Sequence, residues 1–299
     1  MMNSLKIRNI NKQYKNFKAL ENINLDIEEN KIYGLLGNNG AGKSTLLNII
    51  NNRIYSTSGS VELDDENAFN NETVQNNIFL MSEVDLYEKR MTIKKIFKWT
   101  KAFYGDFNYD LANQMVRDFN VDVNKRIGAL STGYRSICKL IVALCVPCKY
   151  IFLDEPVLGL DAKHRQLFYN VLIESYVDKP RTFVISTHLI EEISNLLEHI
   201  IIIEQGQIIL NQPLDNLYSD FVFISGNRIE IESYTNDEKL KIIGGEYLGD
   251  FASVLVLVNR DDIEIPSKFK QNSFDLQKLF LYLSERKEEN HENISSNSI

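Results

Sequence analysis

The sequence has few cysteines and no apolar run that is long enough to cross a bilayer. Its three cysteines are an odd number, so they cannot form a closed disulfide framework, and their scarcity fits a reducing compartment. No apolar stretch approaches the ~18 residues that a membrane-spanning helix needs, and residues 1–10 lack the apolar segment of a signal peptide. We therefore expect a cytosolic chain that reaches a membrane only through a partner.

Basic residues are also in deficit. There are 33 Lys and Arg against 41 Asp and Glu, which gives a net charge of −8. A global attraction for nucleic acid phosphates is therefore missing, and no nucleic acid partner is expected. With 44% hydrophobic and 25% charged residues, the chain of 299 residues has the composition of a globular protein. Its length allows one large domain and a smaller one.

Two of the cysteines, Cys145 and Cys148, form a C-x-x-C motif. The motif lies in an apolar run and has no second Cys or His pair nearby, although a zinc site would require one. We interpret both as small buried side chains. His164 has no chemical partners that the sequence reveals and is expected at the surface.

Apolar and polar residues alternate in Lys6 to Ile10 and in Ile23 to Ile27, as in half-buried antiparallel strands. Later segments are continuous apolar runs, which indicate buried parallel strands, with helical patterns between them. The apolar runs are Ile32 to Leu36, Tyr150 to Leu153, Thr182 to Ile185 and His199 to Ile203, and the helical patterns are Ser136 to Leu144 and Ala162 to Tyr176. Together they predict an α/β fold with a mainly parallel sheet.

Two further regions have a different pattern. Residues 88–127 carry apolar residues at helical spacing and predict a helical insertion, with Trp99 at its edge or at an interface. After Pro213, the runs FVFIS, NRIEIES and ASVLVLV are typical of strands, and Phe274 to Leu283 of a helix, which predicts a small α+β domain. Residues 286–299 are polar and charged, as in a flexible tail.

A glycine-rich loop follows the first continuous apolar strand and precedes a helical pattern. It fits G-x-x-x-x-G-K-[ST], in which backbone N–H groups surround phosphate oxygens. Lys43 would reach the β- and γ-phosphates of a nucleotide, and the Ser44 hydroxyl would bind Mg²⁺. The alternative is a coincidental glycine-rich loop, and a lysine and serine in register argue against it. The matching residues are Gly37, Asn38, Asn39, Gly40, Ala41, Gly42, Lys43 and Ser44.

Two adjacent acids, Asp154 and Glu155, follow the apolar run YIFL. Removing acids from water at the end of a buried strand costs free energy unless they are paired or bind a metal ion. Asp154 is placed to hold Mg²⁺ through water, and Glu155 to polarise an attacking water. A helix N-cap with acids in its first turn is the alternative interpretation.

The order of the motifs resembles that of ATP-binding cassette (ABC) ATPases over residues ~4 to 215. The sequence LSTGY resembles the L-S-G-G-Q signature, GLD resembles the D-loop, and STH resembles the switch-histidine loop. These matches are Leu130, Ser131, Thr132, Gly133 and Tyr134; Gly159, Leu160 and Asp161; and Ser186, Thr187 and His188. The resemblance implies an α/β P-loop NTPase with an antiparallel β subdomain, a helical subdomain and a small C-terminal α+β appendix.

The resemblance also implies domain bounds and the ATP site. The ATPase domain would span residues 1–215, with a helical subdomain at about 88–145, an accessory domain at 216–285 and a tail at 286–299. Tyr14 would stack on adenine, although a packed tyrosine at a sheet edge is the alternative. The ATP-binding set would then be Tyr14, Thr45 and the residues from Gly37 to Ser44.

Other roles follow from the same resemblance. Glu155 matches the catalytic base, and His188 matches the histidine that contacts the γ-phosphate and steadies that base. Ser131 and Gly133 match residues that act on the ATP held by a second cassette, which implies a homodimer or a heterodimer. The expected cofactors are ATP and Mg²⁺, the latter bound by Ser44 and Asp154.

The chain departs from the family pattern in two places. Where the family has a glutamine that touches Mg²⁺, this sequence offers Ser82, with Glu83 beside it. Serine is shorter than glutamine, so it is open whether either residue contacts the metal. Thr132 and Tyr134 replace a glycine and a glutamine of the signature, a change expected to tune the interface between cassettes.

The helix containing FDLQKLF resembles the one that closes ATPase subunits of ABC-2 type exporters, including those for antimicrobial peptides and phenol-soluble modulins. We therefore expect an ATPase subunit that powers export of peptides or amphipathic toxic compounds. It would act with a separate transmembrane permease, peripheral on the inner face of the membrane. The aromatic residues of the helical insertion suit a groove for that partner, or the core of a subdomain. The alternatives are a soluble ABC-type ATPase acting on nucleic acid or ribosomes, and a regulatory cassette with little hydrolysis.

Overall fold

The computed structural model describes residues 4–258 and 264–295, and for the last ten of these, 286–295, only the backbone. Contacts between Cα atoms divide the chain into two units. The first unit comprises the chain up to His188 together with residues 203–208, and the second comprises residues 189–202 and the chain from Ile209 onward.

The first unit contains an antiparallel sheet at the N-terminus, in the order β2-β1-β4-β5. Leu5 and Ile7 of β1 are fully buried, because alternate residues of a strand point to the same side of the sheet. Ile10 is also buried, since a register shift between Ile7 and Ile10 returns it to that side. The two predicted strands are present, and both are longer than predicted. The strands are β1 (Ser4–Tyr14), β2 (Phe17–Glu28), β4 (Ser58–Leu63) and β5 (Glu66–Asn67).

The second sheet of this unit is parallel in the order β3-β8-β7-β6. Every residue of these strands is buried, which explains the continuous apolar runs. Beyond β3 the sheet extends to the ends of β9 and β10 that belong to this unit, residues 203–208. The strands are β3 (Ile32–Leu36), β6 (Ile78–Met81), β7 (Tyr150–Asp154), β8 (Thr182–Ser186), β9 (His199–Glu204) and β10 (Gln207–Pro213).

Helices connect these strands, and polar side chains cap their N-termini. Thr92, Asn108, Ser131 and Asp161 each accept a hydrogen bond from a backbone N–H in the first turn of α3, α4, α5 and α6, respectively. The predicted helical insertion is thus made of α3 and α4. The helices are α1 (Lys43–Ile50), α2 (Glu72–Gln75), α3 (Ile93–Tyr104), α4 (Tyr109–Asp118), α5 (Thr132–Cys145) and α6 (Ala162–Asp178).

The second unit contains an antiparallel sheet in the order β12-β13-β11-β14. Its core includes Ile224, Val254 and Val256, all fully buried. Helix α10 runs beyond the predicted bound of 283 into the predicted tail, whose residues 296–299 lie outside the described part of the chain. The elements are α7 (Ile190–Ile193), α8 (Leu214–Asp220), β11 (Phe221–Asn227), α9 (Arg228–Asp237), β12 (Lys241–Leu248), β13 (Phe251–Leu257), β14 (Lys270–Asn272) and α10 (Leu276–Ser295).

One predicted strand is wrong. The run NRIEIES forms the start of helix α9. The Asn227 side chain accepts hydrogen bonds from the N–H groups of Ile229 (3.0 Å) and Glu230 (3.3 Å) and so caps the helix. Ile231 and Thr235, four residues apart, form its buried face. The alternation of Ile and Glu imitates a strand because it is too short to reveal a period of 3.6.

Among the residues that the structure describes, no helix is both long enough and apolar enough to span a membrane.

Candidate nucleotide site

The glycine-rich loop connects β3 to α1 and takes a shape that only glycine allows at several positions. Gly40 and Gly42 have φ of 85° and 112°, in the left-handed region. A Cβ on Gly37 would lie 2.3 Å from the carbonyl oxygen of Ile203, and one on Gly42 would lie 2.8 Å from that of Ala19. The loop is therefore pressed against neighbouring backbone and cannot accept side chains there.

Lys43 is the first residue of α1 and is only 6% exposed. Its Nζ donates hydrogen bonds to the carbonyl oxygens of Gly37 (2.5 Å) and Asn38 (3.2 Å). Burial lowers the pKa of Lys43, while the nearby carboxylates of Glu155 and Asp154 oppose that shift. The ammonium is thus fixed inside the curve of the loop, where it can meet a phosphate.

The start of α1 completes the phosphate cradle. No side chain caps this helix in the described structure, so its first N–H groups are available to an anion, and the helix dipole favours negative charge there. Ser44 is exposed in the first turn, and Thr45 is half-buried beside it. Asn39 and Gly40 are exposed at the loop tip, whereas Ala41 is buried.

Glu204 belongs to this site, although the sequence analysis did not select it. Asn38 Nδ2 donates a hydrogen bond to Glu204 Oε2 at 3.1 Å, and Glu204 is only 5% exposed. The bond ties the loop to the end of β9, within the same unit. The available signal was an acid directly after the apolar run HIIII, the same pattern that identified Asp154.

Asp154 ends β7 and is 4% exposed. Among the described residues its Oδ1 has no hydrogen-bond partner, and neither has the hydroxyl of Ser186, its register neighbour on β8. A buried carboxylate oxygen without a partner is costly. Oxygen donors are the ligands that Mg²⁺ prefers, so the orphaned Asp154 oxygen and the Ser44 hydroxyl fit that ion.

Glu155 and His188, both predicted to be catalytic, lie in direct contact. His188 Nδ1 is 2.9 Å from Glu155 Oε2. The N–H of Glu155 donates to the carbonyl oxygen of Ser186 at 2.8 Å, which anchors the acid to the end of β8. The side chain of Glu155 is 15% exposed and that of His188 54%. A carboxylate and an imidazole so placed can together orient a water and accept its proton.

The signature and the D-loop pack against each other. Ser131 caps α5 by accepting a hydrogen bond from the N–H of Tyr134 at 3.4 Å. A Cβ on Gly133 would lie 2.6 Å from the carbonyl oxygen of Gly159. Leu160 is buried beneath this contact, and Asp161 caps α6. Leu130 and Thr132 complete the signature segment on either side of Ser131.

His164 is partly exposed beside the signature, as expected for a surface residue, and it has partners that the sequence did not reveal. Its ring stacks on Phe119 with centroids 5.8 Å apart and meets the Tyr134 ring edge-on at 6.3 Å. Its Nδ1 is 3.0 Å from Asp161 Oδ2. Tyr134, which departs from the family signature, therefore contacts the D-loop helix through this histidine.

Ser82 is 7% exposed and its hydroxyl is engaged by protein groups. Ser82 Oγ accepts a hydrogen bond from Arg53 Nη1 at 2.9 Å and donates to the carbonyl oxygen of Val84 at 3.3 Å. Ser82 and Glu83 nevertheless line a cavity of about 120 Å³ together with both acids at the end of β7. We call it the catalytic cavity.

Tyr14 lies at the end of β1 and is 45% exposed. Lys12 Nζ lies over its ring, 4.7 Å from the centroid. The ring is therefore partly available for stacking, and it is not enclosed in a core.

The cysteines are buried and free, as predicted for small core side chains. Cys145 and Cys148 are each 1% exposed, and burial raises the pKa of each thiol to about 12. Both therefore remain neutral thiols at physiological pH.

Comparison with known proteins matches residues 20–158 to the family model described as "ABC transporter". The ABC transporter ATP-binding protein YtrB of Bacillus subtilis is 26% identical over 74% of this chain and 75% of its own. The bacitracin transport protein BcrA of Bacillus licheniformis is 27% identical over 73% and 72%. The lantibiotic transport protein SrtF of Streptococcus pyogenes is 29% identical over 71% and 91%. The galactose import protein MglA of Salmonella typhimurium is also 29% identical, over 72% of this chain and 45% of its own.

Solved structures show the same fold. The cassette MJ0796, in a dimeric post-hydrolysis state bound to ADP and Pi, aligns with a TM-score of 0.63 and 24% identity, over 70% of this chain and 98% of that one. An ATP-binding subunit of another ABC transporter aligns with a TM-score of 0.66 and 19% identity, over 72% and 92%. These likenesses confirm the predicted fold class.

Proposed function

We propose that this chain, whose residues 20–158 match the ABC transporter family model, is the ATP-hydrolysing subunit of an exporter. Its cargo would be peptides or other amphipathic toxic compounds. The contact between Glu155 and His188, at 2.9 Å beside the glycine-rich loop, carries the hydrolytic part of the proposal. The relatives BcrA and SrtF, which are named for bacitracin and lantibiotic transport, support the cargo class.

The proposed reaction uses residues of the glycine-rich loop and α1 together with residues at the carboxyl ends of β7 and β8. Lys43 and the N-terminus of α1 bind the phosphates and compensate their charge. Glu155 orients the attacking water and accepts its proton, and His188 holds that carboxylate in place. Ser44 and Asp154 would hold Mg²⁺, which, when bound, neutralises charge on the phosphates. Tyr14 would stack on the adenine.

We further propose that two cassettes act together. In the ATP-bound state Ser131 and Gly133 of one cassette would close over the nucleotide held by the other. The exposure of Ser131 and the position of the N-terminus of α5 beside it support this, because the positive end of a helix dipole favours an anion. The partner cassette is a second copy or a related ATPase.

The membrane partner would dock in an apolar groove of the first unit, which we call the α3 groove. It has a volume of about 380 Å³ and lies between α3 and the segment after β6. Val84, Leu86, Trp99 and Phe103 on its walls are each at least 48% exposed. Exposed apolar surface of this kind indicates a protein-binding site. The chain would then be peripheral on the cytoplasmic face of the membrane.

We also propose the domain bounds stated above: an ATPase domain at 1–215 with a helical subdomain at 88–145, an accessory domain at 216–285 and a tail at 286–299. The accessory sheet and its helices form a core of their own, which supports a separate domain.

The proposal is tested by affinity purification of the full chain from native membranes. We expect a polytopic permease to co-purify, and ATP hydrolysis by the complex to require Lys43. Lys43→Ala should lose most nucleotide affinity, whereas Lys18→Ala, an exposed lysine on β2, serves as the control. Recovery of ribosomes or nucleic acid with no membrane protein would contradict the transport assignment.

A further inference from the structure

A further cavity of the first unit lies beside the C-terminal end of α1, whereas the phosphate loop lies at the start of that helix. It has a volume of about 390 Å³ and is lined by residues from α1, α2, β4, β5 and the segments that follow α1 and β5. It shares no lining residue with the α3 groove or the catalytic cavity. We call it the Tyr55 cavity. Its size is within the range of small-molecule sites, ~300 to 1,000 Å³.

The walls of the Tyr55 cavity are polar and uncharged. Among the described residues that line it there is no Asp, Glu, Lys, Arg or His, although 25% of the chain is charged. A phosphate, a carboxylate or a metal ion would lose water of hydration there and gain no opposite charge in return. The polar lining residues are serine, threonine, asparagine and glutamine. The cavity is therefore suited to a neutral ligand that forms hydrogen bonds.

Two aromatic rings are exposed at this cavity. Tyr55 is 62% exposed and Phe69 is 54% exposed. Their ring centroids are 5.1 Å apart, and the ring planes are inclined by 58°. Aromatic side chains provide a large and rigid apolar surface, and dispersion attracts any ligand that lays a flat apolar face on it. The ligand should therefore have an apolar face as well as hydrogen-bonding groups.

The backbone segments that carry the two rings are held in place by the protein itself. Lys12 Nζ donates a hydrogen bond to the carbonyl oxygen of Tyr55 at 2.6 Å. The N–H of Thr57 donates to a carbonyl oxygen of β1 at 2.8 Å, and the N–H of Phe69 donates to Asn67 Oδ1 at 2.7 Å. A ligand would therefore meet segments that are already ordered, which lowers the entropy cost of binding.

The polar side chains of the cavity offer both acceptors and donors. Gln75 Nε2 donates to two backbone carbonyl oxygens, at 3.1 and 3.4 Å, and Gln75 Oε1 is left as an acceptor. Asn67 uses its oxygen for the N–H of Phe69, and its amide nitrogen is left as a donor. Thr57 Oγ1 and Ser58 Oγ each accept a hydrogen bond from β1 at 3.0 Å, so their hydroxyl hydrogens can be donated. Such a mixture matches a ligand rich in hydroxyls, because each hydroxyl both donates and accepts.

We propose that the Tyr55 cavity binds a neutral pyranose sugar. A pyranose ring carries C–H groups on its faces and hydroxyls around its edge. The faces pack on Tyr55 and Phe69, and the hydroxyls exchange hydrogen bonds with Asn67, Gln75 and the cavity hydroxyls. A purely apolar ligand would leave the amides without partners, and a charged one would lack an opposite charge. The inference goes beyond the proposed function and does not depend on it.

The test measures binding of three uncharged probes to the full chain by saturation-transfer NMR and calorimetry. The probes are the methyl glycosides of glucose, galactose and N-acetylglucosamine. At least one should bind saturably, and salt should not weaken it because no charges are paired. Tyr55→Ala and Phe69→Ala should each weaken binding about tenfold or more, whereas Tyr55→Phe, which keeps the ring, should retain most of it. Phe251→Ala, which removes an exposed ring from the second unit, is the matched control.

ATP binding by each variant shows that it is folded, since neither ring belongs to the nucleotide site. Saturable binding of none of the three probes would overturn the inference. Equal binding by Tyr55→Ala, Phe69→Ala and the control would also overturn it, because the sugar would then bind elsewhere. Tighter binding of glucuronic acid than of the neutral glucoside would contradict an uncharged site. If a proline-rich peptide binds through the two rings and no sugar does, the cavity is a peptide site and the sugar assignment is wrong.

Discussion

Glu155 adopts a backbone conformation that a glutamate rarely takes. Its φ is 48°, in the left-handed region, which costs of order 1–3 kcal/mol for a non-glycine residue. The hydrogen bond from its N–H to Ser186 helps to hold this conformation. In this conformation the carboxylate lies 2.9 Å from His188 Nδ1. We infer that the energetic cost of this backbone conformation is tolerated because it places the carboxylate beside His188.

At the residue scale we predict that Glu155→Gln suppresses ATP turnover by about two to four orders of magnitude while ATP remains bound. The amide keeps the size of the side chain but cannot accept a proton. The measurements are steady-state hydrolysis of ATP and retention of labelled ATP on the protein. Glu238→Gln, which alters an exposed acid at the C-terminal end of α9 in the second unit, is the control. Wild-type rates in Glu155→Gln would remove the assigned role.

At the scale of elements, the parallel sheet explains why distant residues meet. Gly37 follows β3, Ser82 follows β6, Asp154 ends β7 and Ser186 ends β8. The carboxyl ends of parallel strands share one edge of the sheet, and open α/β sheets bind ligands there. The site is thus assembled because these strands run in the same direction and end at the same edge of the sheet.

The C-terminal end of α5 depends on Arg181, which donates hydrogen bonds to its last carbonyl oxygens. Its Nη1 donates to the carbonyl oxygen of Val146 at 2.7 Å, and its Nη2 donates to that of Leu144 and to Ser175 Oγ, both at 2.9 Å. The residue is 8% exposed. The last carbonyls of a helix have no partner within the helix, so this arginine stabilises the end of the signature helix.

We predict that Arg181→Gln lowers the free energy of unfolding by about 2–4 kcal/mol, because it leaves buried carbonyl groups without a charged donor. Denaturant unfolding followed by circular dichroism measures the change. Arg117→Gln, at an exposed position on α4, should stay within about 0.5 kcal/mol of the wild type. Similar values for the two variants would show that the cap contributes little.

At the scale of the whole molecule, we expect the contact between the signature and the D-loop to affect whether two cassettes close on ATP. We predict that Glu155→Gln forms a dimer with ATP, and that adding Gly133→Ala weakens it. The new Cβ would lie 2.6 Å from the carbonyl oxygen of Gly159, so the two segments must separate. Sedimentation with and without ATP measures the dimer.

The control for the dimer experiment is Gly226→Ala in the same Glu155→Gln background. Its new Cβ would meet the side chain of Phe269 at 3.2 Å, and its three nearest neighbouring atoms all belong to side chains. Dimerisation should be unchanged in this variant. Equal dimerisation by the Gly133→Ala protein would show that the contact with Gly159 is unimportant for closure.

Local features of the sequence were sufficient for much of the architecture. The glycine-rich loop and the buried strands can be predicted from a few neighbouring residues. The loop requires glycine at particular positions, and a strand buried on both faces of a sheet requires an apolar residue at every position. Helix α9 was misread, since its cap at Asn227 and its buried face outweigh the short alternation of Ile and Glu.

The sequence alone determined the residue types of the phosphate loop, the acids at the end of β7 and the order of the motifs. Only the tertiary structure decided that Glu204 holds Asn38, that His164 packs between Phe119 and Tyr134, and that Arg53 donates a hydrogen bond to Ser82. These contacts join residues that lie 29 to 166 positions apart in the sequence. These contacts form only because particular strand ends and helix faces meet in the folded chain, and no local pattern in the sequence predicts which of them meet.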